Sequence, residues 1–264
     1  MRTMNEVGLP LADFLEEARR IVSEAREAGI TLRVIGATAV KLHCPKYARL
    51  YTSFGRTLSD LDIVAFSKDL KRVKELFEKM GYTNRKMGYA VAVSAHGERL
   101  IFYDENNKRA VDVYFDRLRM CHTIEFKDRL ELDSPTITLA DILLEKMQIV
   151  ELNEKDIKDT IVLLREHQLG ETEKEVINMG YIAKLLSENW GFYYTVTTNL
   201  KKTRNSLNEY DILSKEDCED VTSKVDMLLN TIECAPKNLS WKMRARLGTR
   251  MKWYEEVEEI YLTR

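Results

Sequence analysis

Cysteine and proline are scarce in this chain, with four of each among 264 residues. The cysteines are widely separated and form no C-x-x-C pair: Cys44, Cys121, Cys218 and Cys234. That spacing excludes a recognisable disulfide framework or zinc knuckle. Two His–Cys neighbours, at 43–44 and 121–122, lack the spacer that zinc ligands usually have between them. We therefore expect reduced, structural cysteines.

Long apolar runs and a large net charge are also missing. No apolar run approaches 18 residues, and the N-terminal segment does not resemble a signal peptide. The formal net charge is −2, and hydrophobic residues make up 44% of the chain. We expect a cytoplasmic protein without a membrane partner, long enough for one domain of the usual size plus a second.

Two aspartates one residue apart are the most informative feature that is present. Asp60 and Asp62 stand in a strand-like run at 59–64, and a strand places both carboxylates on one face. Asp112 lies in a second apolar run at 110–115, so three acids could converge on one site for Mg²⁺, which prefers oxygen ligands. The alternative is a solvated strand face. The apolar flanks disfavour it, because buried acids without a partner or a metal are costly.

Carboxylates in this pattern suit phosphoryl chemistry. A nucleoside triphosphate carries several negative charges, and metal ions promote attack on it by neutralising the attacking and leaving oxygens together. Two ions about 4 Å apart are the usual arrangement. Asp60 and Asp62 would share the ions, and Asp112 would complete the site or take the proton from an acceptor hydroxyl.

A second motif lies upstream, at 32–42. A short apolar strand ends at Gly36 and a helix begins at once, so that backbone N–H groups at the turn are available to hold phosphate. Gly36 permits close approach of a phosphate, and Thr38 offers a hydroxyl. An ordinary strand–glycine–helix turn is the alternative.

The order of these parts resembles the nucleotidyltransferase fold of the DNA polymerase beta superfamily, in particular its AbiEii-like toxin and antibiotic nucleotidyltransferase branch. The resemblance covers roughly residues 30 to 168. The matching parts are Gly36-Ala37, Arg56 with Asp60 and Asp62, Asp112, Lys146, and Lys155-Asp156-Ile157-Lys158-Asp159. Two positions depart from the branch: Ala37 replaces a second Gly or Ser, and Leu58 stands where Ser or Thr is frequent. Neither position is a metal ligand.

The resemblance implies roles for four further residues. Lys146 is implied to reach the triphosphate, and Arg56 to contact phosphate or to orient the Asp60 strand. Asp156 and Asp159, three apart on one helix face, are implied to be structural and to tie their helix to the surroundings of Lys146. For Lys146 and Arg56, ordinary surface positions are the alternative.

Periodicity and turn residues predict an α+β fold. The first half contains predicted helices at 11–28 and 68–80, strands at 58–66, 89–95, 100–103 and 110–115, and a loop at 46–55. Beyond Pro135 the predicted helices are 139–152, 154–167, 174–188, 214–233 and 239–262. We therefore expect a mixed-sheet nucleotidyltransferase domain at 1–135, with the acids at one edge of a cleft, followed by an all-α domain at 136–264.

Two segments of the second half have two interpretations each. The aromatic cluster at 190–194 fills the core between helices, which we favour, or forms a stacking surface. Residues 235–254 carry six basic side chains and no acid, and Lys242, Arg246 and Arg250 share one face of the predicted helix. A basic stripe at 237–252 would bind RNA. A solvated helix, or one that pairs with a second subunit in a homodimer, is the favoured alternative.

The sequence thus predicts a Mg²⁺-dependent nucleotidyltransferase that moves a nucleoside monophosphate from an NTP to a hydroxyl of a small molecule or an RNA end. The predicted catalytic and metal-binding residues are Asp60, Asp62 and Asp112. The predicted nucleotide-binding residues are Gly36, Ala37, Thr38, Arg56 and Lys146. A non-catalytic nucleotide-binding regulatory module and an AbiEii-type toxin that acts on tRNA are the alternatives. No motif identifies the acceptor.

Overall fold

The structure, a computed structural model, describes residues 8–85 and 99–257. Among the described residues before 116, the chain forms four α-helices and five strands. Their bounds are α1 Phe14–Glu27, β1 Leu32–Ile35, α2 Gly36–His43, α3 Ala48–Ser53, β2 Asp60–Ala65, α4 Leu70–Lys79, β3 Thr83–Arg85, β4 Arg99–Asp104 and β5 Arg109–Phe115. The predicted strand at 89–95 lies outside the described residues.

The part after residue 116 is mainly helical. Its elements are β6 Arg117–Arg119, β7 Thr123–Glu125, α5 Leu139–Met147, α6 Glu154–Glu166, β8 Gln168–Gly170, β9 Val176–Asn178, α7 Met179–Glu188, α8 Trp190–Ser206, α9 Lys215–Cys234 and α10 Leu239–Leu247. The fold is therefore α+β, with a mixed sheet followed by helices, as the sequence predicted. Among the described helices, none combines the length and apolar character that a membrane crossing requires.

The five-stranded sheet has the order β1-β2-β5-β4-β3. Strands β2 and β5 are parallel, and the other pairs are antiparallel, so the sheet is mixed as expected. Asp62 is the register partner of Asp112 across the parallel pair, and of Ile35 across the pair with β1. Because register partners in a sheet point to the same face, the Asp62 and Asp112 side chains are neighbours.

Helix α1 covers the sheet near β1. Asp13 caps it by accepting the backbone N–H groups of Leu15 and Glu16, and its apolar stripe is buried from Ala18 to Ala25. The helix ends before Gly29, whose φ of +66° turns the chain toward β1. This confirms the helix predicted at 11–28, shortened at its N-terminus.

The β4–β5 hairpin turns at 105–108, as predicted. Asp104 accepts the backbone N–H groups of Asn106 and Asn107, and Lys108 adopts a φ of +55°. Arg109 donates to Asp104 Oδ2 at 3.0 Å and to Leu11 O at 2.7 Å. Both members of this ion pair are buried, so a desolvated charge pair closes the hairpin, and the hydrogen bond of Arg109 to Leu11 ties the hairpin to the N-terminal segment.

The predicted loop at 46–55 and the predicted domain boundary at 135 both contain more structure than the sequence indicated. The predicted loop at 46–55 contains the short helix α3, because Leu50 and Tyr51 pack into the core. Residues near the predicted domain boundary at 135 run beside β1, where Pro135 O accepts the Val34 N–H at 3.0 Å. The boundary itself stays a prediction.

The second half is mainly helical, as predicted, but it is not all-α, because β8 and β9 form a short parallel pair there. Strand β9 occupies the start of the helix predicted at 174–188. A second short pair, the hairpin of β6 and β7, lies before residue 135. The helix predicted at 139–152 ends at Met147. These short strands carry almost no periodicity of their own, because three residues are too few to show a period of two.

The helix predicted at 239–262 is present at 239–247 and wrong beyond Leu247, while its last positions, 258–262, lie outside the described residues. Helix α10 ends at Leu247, because Gly248 adopts a φ of +57° and Arg244 donates to its carbonyl oxygen at 2.7 Å. Arg250 therefore lies in a following 3₁₀ turn and does not share a helix face with Lys242.

The aromatic cluster at 190–194 lies in helix α8 and mostly fills the interior, as favoured. Trp190 and Phe192 are buried, and Phe192 stacks on His122 at 4.9 Å between ring centroids. Tyr194 packs against the ring of Trp253, and Trp253 Nε1 donates to the hydroxyl of Thr195 in α8 at 3.1 Å. The cluster therefore anchors the C-terminal segment to α8.

We expect replacement of Arg109 with alanine to lower the free energy of unfolding by about 3–5 kcal/mol, because it leaves Asp104 buried without its cation. Urea denaturation followed by circular dichroism measures the change. Lys215→Ala is the matched control, since that side chain is 89% exposed and pairs only with exposed Glu219. Equal effects of the two substitutions would contradict the prediction.

Acidification is expected to destabilise the fold partly through His122. Burial lowers the pKa of His122 to about 4, although Glu255 acts in the opposite direction. A histidine with a depressed folded-state pKa contributes stability above its unfolded pKa of about 6.5, and this is lost as the pH falls toward 4. The loss amounts to about 3 kcal/mol. In His122→Gln, the free energy of unfolding should fall less steeply over that range; parallel curves would exclude this contribution.

Candidate active site

Asp62 and Asp112 form the centre of the candidate site. They are register partners on the parallel strands β2 and β5, and Asp112 is 8% exposed. Asp60 lies on the same face of β2, but it stands at the start of the strand and is exposed. The structure therefore brings two of the three predicted acids side by side and leaves the third at the rim.

Arg99 holds one oxygen of Asp112. Its Nη2 donates to Asp112 Oδ2 at 2.6 Å, and its guanidinium lies 5.1 Å from the ring centroid of Tyr114. The other carboxylate oxygen, Asp112 Oδ1, is buried and has no hydrogen-bond partner among residues 8–85 and 99–257. A buried carboxylate oxygen without a donor is costly, and a cation or a proton at this position would relieve the cost.

Several carboxylates lie close together in the site, and this closeness shifts their pKa values. The pKa of Asp62 is raised well above its ordinary value by burial, then by the negative charges of Asp60, Asp112 and Glu145. Burial also raises the pKa of Asp112, while Arg99 opposes that shift. The site carries more negative charge than its cations balance, which favours the binding of a positive ion.

Gly36 forms the turn that lies against Asp62. Its φ is +71°, and a Cβ at this position would lie 2.8 Å from Asp62 Oδ2, so only glycine fits both the conformation and the space. The backbone N–H of Gly36 donates to Glu145 Oε2 at 3.0 Å. This N–H, which was predicted to be available for phosphate, therefore already has a carboxylate partner.

The other two residues of the turn have different surroundings. Ala37 is partly buried, and its carbonyl accepts the Tyr51 hydroxyl at 3.3 Å. Thr38 is 2% exposed, and its Oγ1 is buried without a hydrogen-bond partner. The first turn of α2 still carries backbone N–H groups that lack partners within the helix.

Glu145 was not predicted. It lies in α5, is 8% exposed, and its pKa is raised to about 6 by burial, against the opposing effects of Lys146 and the Gly36 N–H. It stands 109 positions from Gly36 in the chain. No local motif marks it, although its place directly before Lys146 in an otherwise apolar helix was a signal of unusual burial.

The two predicted phosphate-binding cations share one buried carboxylate. Arg56 donates to Asp159 through Nε and Nη2, at 2.9 and 3.0 Å. Lys146 Nζ lies 3.0 Å from Asp159 Oδ2 and 3.3 Å from Asp156 Oδ1. The two aspartates thus contact Lys146, as the resemblance implied, and both cations are held in fixed positions.

These residues fit a magnesium ion in part. Within the described ranges, no three Asp, Glu, His or Cys side chains converge closely enough to enclose a metal. Mg²⁺ rarely needs such a cage, because it commonly takes one or two carboxylates and completes its shell with water and substrate phosphates. Asp62 and Asp112 Oδ1, which has no hydrogen-bond partner within the described part of the chain, would supply such a pair, and Asp60 lies on the same face.

Comparisons with known proteins assign no family. The chain matches no protein-family model and no curated protein. One similar solved structure is the solution structure of the antibiotic-resistance factor ANT(2'')-Ia, which is 11% identical, with a TM-score of 0.36 over 64% of this chain and 90% of that chain. At that score the likeness carries neither a family nor an activity to this protein, and the resemblance to the AbiEii-like branch stays a prediction.

Asp62→Asn is expected to raise the melting temperature of the metal-free protein at pH 7. The folded-state pKa of Asp62 is raised, so its ionised form destabilises the fold at neutral pH, and this penalty disappears as the pH falls through the folded-state pKa. Calorimetry in the presence of EDTA measures the shift. Asp60→Asn is the control, since the exposed Asp60 should change the melting temperature less. A lower melting temperature of Asp62→Asn would contradict the electrostatic account.

Proposed function

We propose that this protein is a metal-dependent nucleotidyltransferase, which moves a nucleoside monophosphate from an NTP to a hydroxyl acceptor and releases pyrophosphate. The observation that supports this most is the pairing of Asp62 with Asp112 beside the glycine turn of α2. Two adjacent carboxylates can bind the divalent cation that accompanies a triphosphate, and the nearby start of helix α2 can bind its phosphate groups.

The first turn of α2 is the proposed phosphate site. Gly36 lets the substrate approach closely, while the N–H groups of Ala37 and Thr38 and the Thr38 hydroxyl supply donors. Because Gly36 donates to Glu145, the donors must come from the next residues of the turn. Arg56 and Lys146, fixed by Asp159, would attract the triphosphate and hold its charge in place.

Asp60, Asp62 and Asp112 are the proposed metal ligands. Bound Mg²⁺, as two ions in the usual form of this chemistry, would neutralise the triphosphate and the developing charge on the leaving group. Asp112 is the alternative candidate for the base. If Asp60 and Asp62 hold the ions between them, Asp112 Oδ1, which has no donor among the described residues, would accept the proton of the acceptor hydroxyl while Arg99 holds Oδ2 in place.

The acceptor is a hydroxyl on a small molecule or an RNA end. Lys242, Arg246 and Arg250 are exposed, as an RNA contact at 237–252 would require, but Arg250 lies beyond the end of the helix that carries the other two. Arg244 does not add to that surface, because it lies 4.6 Å from the ring centroid of Trp190 and donates to backbone carbonyls. An NTP-binding module without turnover is the second candidate, and the ion pair between Arg99 and Asp112 favours it, since it occupies one ligand oxygen.

The protein is expected to transfer radiolabel from an α-labelled NTP, but not from a γ-labelled one, to total tRNA or to a hydroxyl-bearing metabolite in the presence of Mg²⁺. This pattern follows because monophosphate transfer keeps the α-phosphate and releases the γ-phosphate in pyrophosphate. Thin-layer and gel analysis of each mixture measures it.

Asp62→Asn and Asp112→Asn should each reduce that transfer by at least about 10²-fold, because they remove the proposed ligands and base. Glu78→Gln, on the exposed side of α4, is the matched control and should transfer at the wild-type rate. Metal-dependent NTP binding without transfer to any acceptor would support the non-catalytic module. Absence of NTP binding would exclude both candidates.

A further inference from the structure

Glu145 is a buried carboxylate that the proposed chemistry does not use. It accepts the Gly36 N–H at 3.0 Å, and Gly36 in turn lies against Asp62 Oδ2. A contact chain therefore runs from helix α5 through the backbone of the glycine turn to a carboxylate of the candidate metal site.

Helix α5 is a firm support for this contact. All nine of its residues are buried. Its N-terminus is capped by Thr138, and Asp141 in its first turn pairs with Arg129 at 2.7 Å. The backbone at Glu145 is therefore held from several sides, and the carboxylate of Glu145 transmits that fixed position to the Gly36 turn.

Because Gly36 packs tightly against Asp62, the position of the Gly36 turn determines the space that is open to the Asp62 carboxylate. Since a Cβ would lie 2.8 Å from Asp62 Oδ2, the Gly36 backbone closes one side of the space around the Asp62 carboxylate. Movement of the turn would let that carboxylate rotate away from Asp112. The charge of Glu145 acts in the opposite sense, because it adds repulsion to a crowded acidic cluster.

We propose that Glu145 is a positioning residue, which fixes the Gly36 turn through its hydrogen bond and thereby holds Asp62 in the orientation that binds the divalent cation. This inference rests on the proposed function. It concerns the side-chain geometry of Glu145 rather than its charge, and it assigns Glu145 no contact with substrate.

Two conservative substitutions distinguish the effect of the length of the Glu145 side chain from the effect of its charge. Glu145→Gln keeps an oxygen that accepts the Gly36 N–H but removes the charge. Glu145→Asp keeps the charge but is one methylene shorter, so it cannot hold the same bond in place. Mn²⁺ affinity, measured by the loss of free Mn²⁺ signal in electron paramagnetic resonance with and without ATP, does not depend on turnover.

The expected result is a loss of Mn²⁺ affinity of about tenfold or more in Glu145→Asp and less than about threefold in Glu145→Gln, since supporting residues of this kind typically change metal affinity by 10–100-fold. At saturating Mn²⁺, Glu145→Asp should bind the same number of ions per chain as the wild type, because the ligands themselves are intact.

Glu166→Asp is the matched control. Glu166 also lies near the end of a helix and accepts a distant backbone N–H, that of Tyr47, at 2.8 Å. It should lose a similar amount of stability in urea denaturation, which reports folding directly, while keeping wild-type Mn²⁺ affinity. This comparison distinguishes positioning of the site from a general structural role.

Several outcomes would overturn the inference. Equal affinity of wild type and Glu145→Asp would exclude a positioning role while leaving the proposed function intact. A larger loss in Glu145→Gln than in Glu145→Asp would show that charge acts, as in direct ligation. If the wild-type protein binds no Mn²⁺ with or without ATP, the proposed function fails, and the inference fails with it.

Discussion

Repulsion between Asp62 and Asp112 is the constraint around which the site is built. Parallel pairing of β2 with β5 makes the two carboxylates register partners, and burial denies them the screening of water. The fold tolerates the pair because Arg99 donates to Asp112 and Lys146 lies near enough to lower the pKa of Asp62. The remaining excess of negative charge is what makes a cation favourable there.

The cations around the site are themselves fixed by carboxylates. Asp159 pairs with both Arg56 and Lys146, so a single fully buried acid links the loop before β2 to helices α5 and α6. The pKa of Lys146, which burial alone would lower, is raised by Asp159 first and then by Glu145 and Asp156. Lys146 therefore stays charged, and Asp159 holds it and Arg56 in fixed positions while balancing part of their charge.

The closeness of Gly36 to the Asp62 strand could be predicted from the sequence, whereas the roles of these residues stay predictions. The period of two in β2 and the glycine at a strand–helix junction are local signals, and together they place Gly36 beside the strand that carries Asp60 and Asp62. The mixed sheet and most of the helices were predictable for the same reason, since apolar periodicity is a local property.

Long-range contacts were not predictable from the sequence. The bond from Gly36 to Glu145 and the pairing of Asp159 with Arg56 join positions more than 100 residues apart, and no spacing rule connects them. The end of α10 was missed for a different reason: Gly248 interrupts a segment whose composition favours a helix, and glycine alone does not determine where a helix stops.

The central claim is that the face shared by Asp62 and Asp112 binds a divalent cation with a nucleoside triphosphate. The most direct measurement is an anomalous difference map, at the manganese edge, of crystals grown with Mn²⁺ and a non-hydrolysable NTP analogue. The account predicts a manganese peak within ligand distance of Asp62 and Asp112 Oδ1, with the phosphates against the first turn of α2. An analogue bound elsewhere, or a metal-free Asp112 beside a bound analogue, would contradict it.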